Sequence, residues 1–123
     1  MIKQCVGVDI VEIQRIESAI FRWGERFLTR VFTPAELDLY RGKTLSLAVR
    51  FSAKEATIKA LDIPGASLQD IEILAEENHH PRVCLHGTAK TKAAAMKITS
   101  LDLSLSHSKD LAIACVAGLY SDE

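Results

Sequence analysis

The sequence predicts an α+β fold in which an antiparallel sheet has helices packed on one side. Three observations lead to this class. Apolar and polar residues alternate near both ends of the chain, which is typical of half-buried strands. Between about residues 11 and 61 the apolar spacing is helical. The remaining segments complete the order strand, three helices, two strands, helix, two strands.

The first strand is predicted around residues 6–10, where apolar side chains alternate with Gly7 and Asp9. From about Val11 apolar residues recur at steps of three and four, which predicts an amphipathic helix. Gly24 can break that helix into two pieces. The residues with this spacing are Ile13, Ile16, Ile20, Trp23 and Phe27.

A second helix is predicted to begin at Pro34, because Thr33 suits the N-cap and Glu36 stands at the capping-box position. Gly42 can end it. A third helix is expected over residues 44–61, since this stretch contains neither Gly nor Pro and is rich in good helix formers.

The second half of the chain predicts strands around one further helix. After the Pro64-Gly65 loop, residues 70–73 and 82–85 read as paired strands. Residues 88–98 are rich in Ala and Lys and predict a helix. Alternation over residues 101–105 and again over 111–117 predicts a β-hairpin with one buried face.

Composition limits the class of protein. The chain has 123 residues, 48% of them apolar, which suits a single domain over residues 1–123. No apolar run approaches a membrane span and the start does not resemble a signal peptide, so we expect a cytoplasmic protein without membrane association. The three cysteines are widely spaced and are interpreted as small buried hydrophobic residues.

The charge is uneven along the chain. The net charge of −1 gives no reason to expect binding to nucleic acid. Residues 1–61, however, carry ten basic and seven acidic side chains, a balance of +3, whereas residues 62–123 carry five and nine, a balance of −4. An acidic partner or a phosphate ligand is therefore expected at the first half.

Asp9 is the first candidate for chemistry. It lies among apolar residues where a strand gives way to a helix, and a carboxylate in such a place must be paired, hydrogen-bonded or bound to a cation. A structural role is equally open. Asp9 can be a helix N-cap, with Glu12 completing the arrangement, or one partner of a salt bridge.

The third predicted helix carries the second candidate. Arg50 and Lys54 are four residues apart, as are Glu55 and Lys59, so one surface can present two cations and a neighbouring one a carboxylate beside a cation. Ordinary solvated pairing explains the same spacing. Small residues in this stretch permit close approach by another element or a ligand: Ser52, Ala53 and Ala56.

Two further features are candidates for binding. Ser106 and His107 end a predicted strand and could donate hydrogen bonds to phosphate, although a polar hairpin end explains them equally. They point to opposite faces of the strand and no G-x-S-x-G motif is present, which disfavours a serine hydrolase. A stripe of arginines on the first helix suits an acidic partner or is simply a solvated face: Arg15, Arg22, Arg26 and Arg30.

Four segments in order resemble one family. GVDIVEIQRI (7–16), RVFTPAE (30–36), RFSAKEATIKA (50–60) and LSLSHSKDLAIACV (103–116) are similar to the motifs of the holo-acyl-carrier-protein synthases, small bacterial 4′-phosphopantetheinyl transferases. The resemblance covers almost the whole chain and implies the fold of that family. It also implies an Mg²⁺-dependent transfer of phosphopantetheine from coenzyme A to a serine of apo acyl carrier protein, by a homotrimer, within lipid and fatty acid metabolism.

The resemblance also implies residue roles. Asp9 and Glu55 match the family's Mg²⁺ ligands, and Lys59 matches a lysine near the diphosphate. Because the nucleophile arrives on the carrier protein, Glu55 is the candidate for taking its proton. The remaining assignments are coenzyme A contacts at Arg50, Ser106 and His107, and carrier-protein docking at Arg15, Arg22 and Arg26.

Departures from the family pattern leave other functions open. Cys5 stands where the family often has Gly, Ser52 where Ala is usual, and Leu61-Asp62 where a Gly commonly follows. None removes a proposed ligand, and the loop around residues 61–66 is expected to differ from that of the family. The alternatives are a hydrolase of the coenzyme A diphosphate and a non-catalytic module that binds coenzyme A or carrier protein.

Overall fold

The computed structural model describes residues 1–122, and this part of the chain forms five strands, five α-helices and a 3₁₀ turn at Leu68–Asp70. None of the helices described is long and apolar enough to cross a membrane. In chain order the elements are β1 (Ile2–Glu12), α1 (Ile13–Trp23), α2 (Glu25–Val31), α3 (Pro34–Tyr40), α4 (Thr44–Leu61), β2 (Ile71–Ala75), β3 (Pro81–Leu85), α5 (Gly87–Ala95), β4 (Ile98–His107) and β5 (Leu111–Ser121).

The strands form two antiparallel sheets. β5 lies between β1 and β4 in a three-stranded sheet, and β2 pairs with β3 in a two-stranded sheet. The predicted C-terminal hairpin is β4 with β5. β1 is longer than predicted, because its pairing with β5 continues in register from Ile2 to Glu12. The α+β class with antiparallel pairing is confirmed.

The two faces of the three-stranded sheet have different environments. α4 covers one face, where Ala112, Ala114 and Val116 of β5 are fully buried. On the opposite face of β1 the apolar side chains of Val6 and Val8 are 61% and 57% exposed. Helices therefore pack on one side, as predicted, and an apolar strip of the sheet faces outward.

α4 and β1 approach each other closely at Gly7. A Cβ at Gly7 would overlap the carbonyl oxygen of Ala56 on α4. Ala53 and Ala56 are fully buried in this contact region. The small residues of α4 thus allow β1 of the same chain to pack closely against the helix. The sequence had left open whether another element or a ligand approaches there.

The helix ends agree with prediction in part. The first helix is split at Gly24, as the sequence indicated, and the φ of 55° at Gly24 lies in the left-handed region. Glu12 occupies the N-cap of α1 but its side chain makes no capping hydrogen bond, so the capping arrangement suggested for Asp9 and Glu12 is wrong. α5 ends at Ala95, because Lys97 adopts a φ of 60° and the chain then enters β4.

The cysteines occupy three environments. Cys5 is buried against α4, as expected, while Cys84 is half-buried. Cys115 is exposed, so its predicted burial is wrong. The reason is the alternation of β5, which turns Cys115 to the outward face while its neighbours Ala114 and Val116 point inward.

A buried ion pair joins α3 to α4. Lys54 Nζ lies 2.8 Å from Glu36 Oε1, and both side chains are fully buried. Lys54 also donates to the carbonyl oxygens of Leu68 at 2.9 Å and Ile71 at 2.6 Å. Burial lowers the pKa of Lys54, and the neighbouring Glu36 charge partly offsets this effect. The prediction of a surface bearing Arg50 and Lys54 as cations is wrong, since both are buried.

Glu36 completes the same network through its two carboxylate oxygens. Oε1 accepts from the backbone N–H of Thr33 and Oε2 from that of Ile73, each at 2.8 Å. The Thr33 hydroxyl accepts from the Glu36 N–H, so the predicted capping box is confirmed. One carboxylate therefore caps α3 and fixes β2 while it neutralises Lys54.

We expect Lys54→Met to lower the free energy of unfolding by about 3–5 kcal/mol, because the substitution leaves the buried Glu36 carboxylate without its counter-ion. Urea denaturation followed by circular dichroism measures this loss. Lys90→Met on the exposed part of α5 is the matched control and should change stability by less than about 0.5 kcal/mol. Equal effects of the two substitutions would contradict a structural role for the pair.

Candidate active site

Asp9 lies in β1 opposite α4, with its side chain mostly buried. Its Oδ1 lies 3.1 Å from Lys59 Nζ, and its Oδ2 accepts from the Ser52 hydroxyl at 3.1 Å. Lys59 also donates to the Val8 carbonyl oxygen at 3.1 Å. Of the structural roles weighed for Asp9, the salt bridge is therefore present, and the carboxylate has partners on both oxygens.

Glu55 belongs to the same cluster. It is three residues after Ser52 and four before Lys59, so all three side chains lie on one face of α4, toward β1. Burial raises the pKa of the Glu55 carboxyl, and the negative charge of Asp9 raises it further, while Lys59 acts in the opposite direction. The Asp9 carboxylate is thus close enough to influence the ionisation of Glu55.

A cavity of about 330 Å³ opens beside these carboxylates. Asp9, Glu55 and Arg15 provide its charged part. The apolar part includes Phe27 and Phe51, whose rings stack with centroids 6.5 Å apart. The cavity can therefore accept a charged group and an adjoining apolar segment at the same time.

The oxygen donors at the cavity suit a magnesium ion whose remaining ligands come from the substrate. Among residues 1–122 no group of three or more His, Cys, Asp or Glu side chains is assembled that could hold a metal ion. Asp9 and Glu55 provide two hard oxygen donors at one cavity. Mg²⁺ is commonly held by one or two carboxylates together with phosphate oxygens and water. The residues present fit that mode of binding.

Arg50 lies away from this cluster. It precedes Glu55 by five residues, which places it about 140° around α4. Its guanidinium is buried, with the carbon 3.6 Å from the centre of the Tyr40 ring and one nitrogen donating to the Tyr40 hydroxyl at 2.7 Å. Burial lowers the pKa of Arg50, although Tyr40 counteracts this. Its Nε has no hydrogen-bond partner among residues 1–122.

Ser106 and His107 lie at the end of β4 and face opposite sides of the sheet. His107 pairs with Ala112, which is buried beneath the helices, whereas Ser106 pairs with Ile113 on the outward-facing side. Both side chains are exposed, and neither lines the cavity beside Asp9. β5 lies between His107 and that cavity within the chain.

The three arginines predicted to dock the carrier protein are exposed on α1 and α2. Arg15 lies at the cavity, one turn into α1. The Arg22 guanidinium lies over the Trp23 ring, 5.1 Å from its centre. Arg26 follows the break at Gly24, so the predicted stripe changes direction there. Phe21 beside them is 93% exposed, which adds an apolar element to this basic surface.

Sequence reasoning missed two partners of the predicted residues. The sequence indicated Ser52 for its small size and as a departure from the family's Ala, but not for its hydroxyl, which contacts Asp9. Nothing in the sequence indicated Tyr40, although its ring packs on Arg50. Ser52 is 43 residues from Asp9, and Tyr40 is ten residues from Arg50 on a different helix, so neither contact leaves a periodic pattern in the sequence.

Comparison with known proteins identifies the family. The family described as the 4′-phosphopantetheinyl transferase superfamily, ACPS, matches residues 5–116. The chain belongs to this family. The holo-acyl-carrier-protein synthase of Dehalococcoides mccartyi is 50% identical over 111 residues, covering 89% of this chain and 93% of that protein. The chain is accordingly an enzyme of the holo-acyl-carrier-protein synthase type, as the sequence motifs predicted.

Solved structures support the same family fold. The Helicobacter pylori holo-acyl-carrier-protein synthase, determined in complex with coenzyme A, matches with a TM-score of 0.83 at 37% identity, covering 92% of this chain and 98% of that one. The holo-ACP-synthase of Plasmodium yoelii matches with a TM-score of 0.86 at 28% identity, covering 99% of each chain. The predicted fold is therefore confirmed.

Proposed function

We propose that the chain transfers 4′-phosphopantetheine from coenzyme A to a serine hydroxyl of apo acyl carrier protein in an Mg²⁺-dependent reaction. The serine oxygen forms a bond to the β-phosphorus of the coenzyme A diphosphate, and adenosine 3′,5′-bisphosphate leaves. The observation that carries the proposal is that Asp9 and Glu55 line one cavity and that Lys59 pairs with Asp9. The relative from Helicobacter pylori, which binds coenzyme A, supports the choice of donor.

The charged residues have complementary roles in this proposal. Asp9 and Glu55 hold Mg²⁺, which supplies charge neutralisation at the diphosphate when bound. The Lys59 side chain is 55% exposed, so its ammonium can also reach a phosphate oxygen of an incoming substrate. Glu55 also takes the proton from the serine hydroxyl, because its carboxylate lies at the cavity that receives the substrate.

The coenzyme A contacts assigned to Arg50, Ser106 and His107 stay predictions, with different support. His107 is exposed and shares the helix-covered face of the sheet with Asp9. Ser106 lies on the outward face. For Arg50 to reach a ligand, the ring of Tyr40 must move, because it covers the guanidinium.

A homotrimer is part of the proposal, supported by the outward apolar face of the sheet. Val6, Val8 and Ile10 occupy alternate positions of β1, so their side chains lie on the same face, where they are 57–61% exposed. A group of exposed apolar side chains of this kind is typical of an interaction surface. Val8 and Ile10 flank Asp9, so a subunit contact there lies next to the site. We further propose that Arg15, Arg22 and Arg26 dock the acidic carrier protein.

Intact-mass spectrometry tests the transfer directly. Apo acyl carrier protein is incubated with the chain, coenzyme A and Mg²⁺, with EDTA added to a parallel sample. We expect a gain of about 340 Da on the carrier serine that EDTA abolishes. Cleavage of coenzyme A without carrier would favour the hydrolase instead, and binding of coenzyme A without any turnover would favour the binding module.

We expect Glu55→Gln to reduce kcat by at least about 100-fold while the protein stays folded, because an amide oxygen is a poorer Mg²⁺ ligand and a poorer base. Steady-state kinetics at saturating Mg²⁺ measures the change. Glu17→Gln, on the exposed surface of α1, is the control and should keep nearly full kcat. A folded Glu55→Gln variant with normal turnover would exclude both roles of Glu55.

Arg15→Glu should raise the KM for carrier protein about tenfold and leave the KM for coenzyme A within about twofold, because it reverses a charge that faces an acidic partner. Arg82→Glu on β3 removes an exposed arginine elsewhere and should change neither constant. If Arg15→Glu raises both KM values equally, the docking assignment is wrong.

Native mass spectrometry should give the mass of three chains for the unmodified protein. Val8→Glu places a charge in the outward apolar face and should yield the mass of one chain. Lys90→Glu, outside that face, should preserve the trimer. A Val8→Glu protein that still assembles would move the interface to another surface.

A further inference from the structure

The Ser52 hydroxyl is committed to Asp9. Ser52 is fully buried between α4 and β1. Its Oγ lies 3.0 Å from the main-chain oxygen of Asp9 and 3.1 Å from Asp9 Oδ2. Both acceptors belong to Asp9. The single hydroxyl proton of Ser52 therefore donates to Asp9 alone and can fix the position and orientation of that residue.

The two partners of the Asp9 carboxylate differ in rigidity. Lys59 reaches Oδ1 with a long side chain that is 55% exposed, and such a pair is weak and screened by solvent. Ser52 reaches Oδ2 with a short, fully buried side chain that has one rotatable bond before its oxygen. Ser52 therefore restricts the carboxylate more strongly than Lys59 does.

We propose that Ser52 is a positioning residue that fixes the Asp9 carboxylate in one orientation and thereby strengthens divalent cation binding by Asp9 and Glu55. The inference rests on the metal role proposed for those two residues. Hydrogen bonds from outside the ligand set orient metal-binding carboxylates, and their loss typically weakens metal affinity 10–100-fold. Ser52 is placed to orient Asp9 in this way, since it lies one helical turn before Glu55 on α4.

A purely structural role for Ser52 makes a different prediction. If the hydroxyl served only to satisfy the buried carbonyl oxygen of Asp9, its removal would lower stability and leave the carboxylate orientation unchanged. Thr57 provides the matched comparison, because it is a fully buried hydroxyl of the same helix whose oxygen donates to the Ala53 carbonyl instead.

The test compares Ser52→Ala, Ser52→Cys and Thr57→Val in the full chain. Mn²⁺ is added without any other ligand, and electron paramagnetic resonance measures the Mn²⁺ that stays unbound. Both Ser52 variants should weaken Mn²⁺ binding about tenfold, and Thr57→Val should change it less than twofold. Ser52→Cys keeps the side-chain shape with a slightly larger atom that is only a weak donor, so it tests hydrogen bonding without leaving a cavity. Thermal unfolding confirms that each variant is folded.

A metal-free measurement tests the positioning itself. In the NMR spectrum the Hα–Hβ couplings of Asp9 should indicate one rotamer in the unmodified protein and Thr57→Val, and averaged rotamers in both Ser52 variants. If both Ser52 variants keep the Asp9 couplings and the Mn²⁺ affinity of the unmodified protein, the proposal is overturned. It is also overturned if Ser52→Cys alone keeps both, because packing rather than hydrogen bonding would then orient Asp9.

Asp9→Asn separates this result from a failure of the proposed metal site. If Asp9→Asn abolishes Mn²⁺ binding while the Ser52 variants bind normally, only the positioning role is overturned. If Asp9→Asn binds Mn²⁺ as tightly as the unmodified protein, the metal role of Asp9 is wrong and the Ser52 inference is overturned with it.

Discussion

The ion pair between Glu36 and Lys54 is the interaction on which the position of α4 depends. Both charges are removed from solvent, and each is compensated by further hydrogen bonds, which is the condition under which a buried pair is tolerated. Lys54 binds carbonyl oxygens that flank β2, while Glu36 binds the backbone at the start of α3 and within β2. The pair thereby joins three elements around the middle of α4.

The opposite face of α4 carries the proposed catalytic cluster. Gly7 lets β1 lie directly on Ala56, and this close approach places Asp9 within hydrogen-bond distance of Ser52 and Lys59. One face of the helix therefore has a structural role, and another carries residues of the proposed chemistry. A substitution in the Glu36–Lys54 pair that shifts α4 is expected to alter the Asp9 contacts as well, because both faces belong to one rigid helix.

The outward face of the sheet explains how the site relates to assembly. Asp9 points toward α4, while its neighbours Val8 and Ile10 are exposed on the other side of β1. In the proposed trimer the same short segment therefore provides the proposed metal ligand Asp9 to the site and apolar contacts to a neighbouring subunit. Ser106 on that outward face would lie close to the subunit contact, whereas His107 on the helix-covered side would not.

Local periodicity, helix propensity and capping chemistry specify the α+β class, the capping box at Thr33 and Glu36, α4 at residues 44–61 and the hairpin of β4 and β5, so these features could be predicted from the sequence. The sequence motifs also indicated Asp9, Glu55 and Lys59. Long-range packing, in contrast, makes Lys54 a buried structural lysine, places Arg50 against the Tyr40 ring and brings the Ser52 hydroxyl to Asp9. Lys54 and Lys59 have the same side chain on the same helix, and what separates their roles is the element packed against each face, which joins residues far apart in the chain.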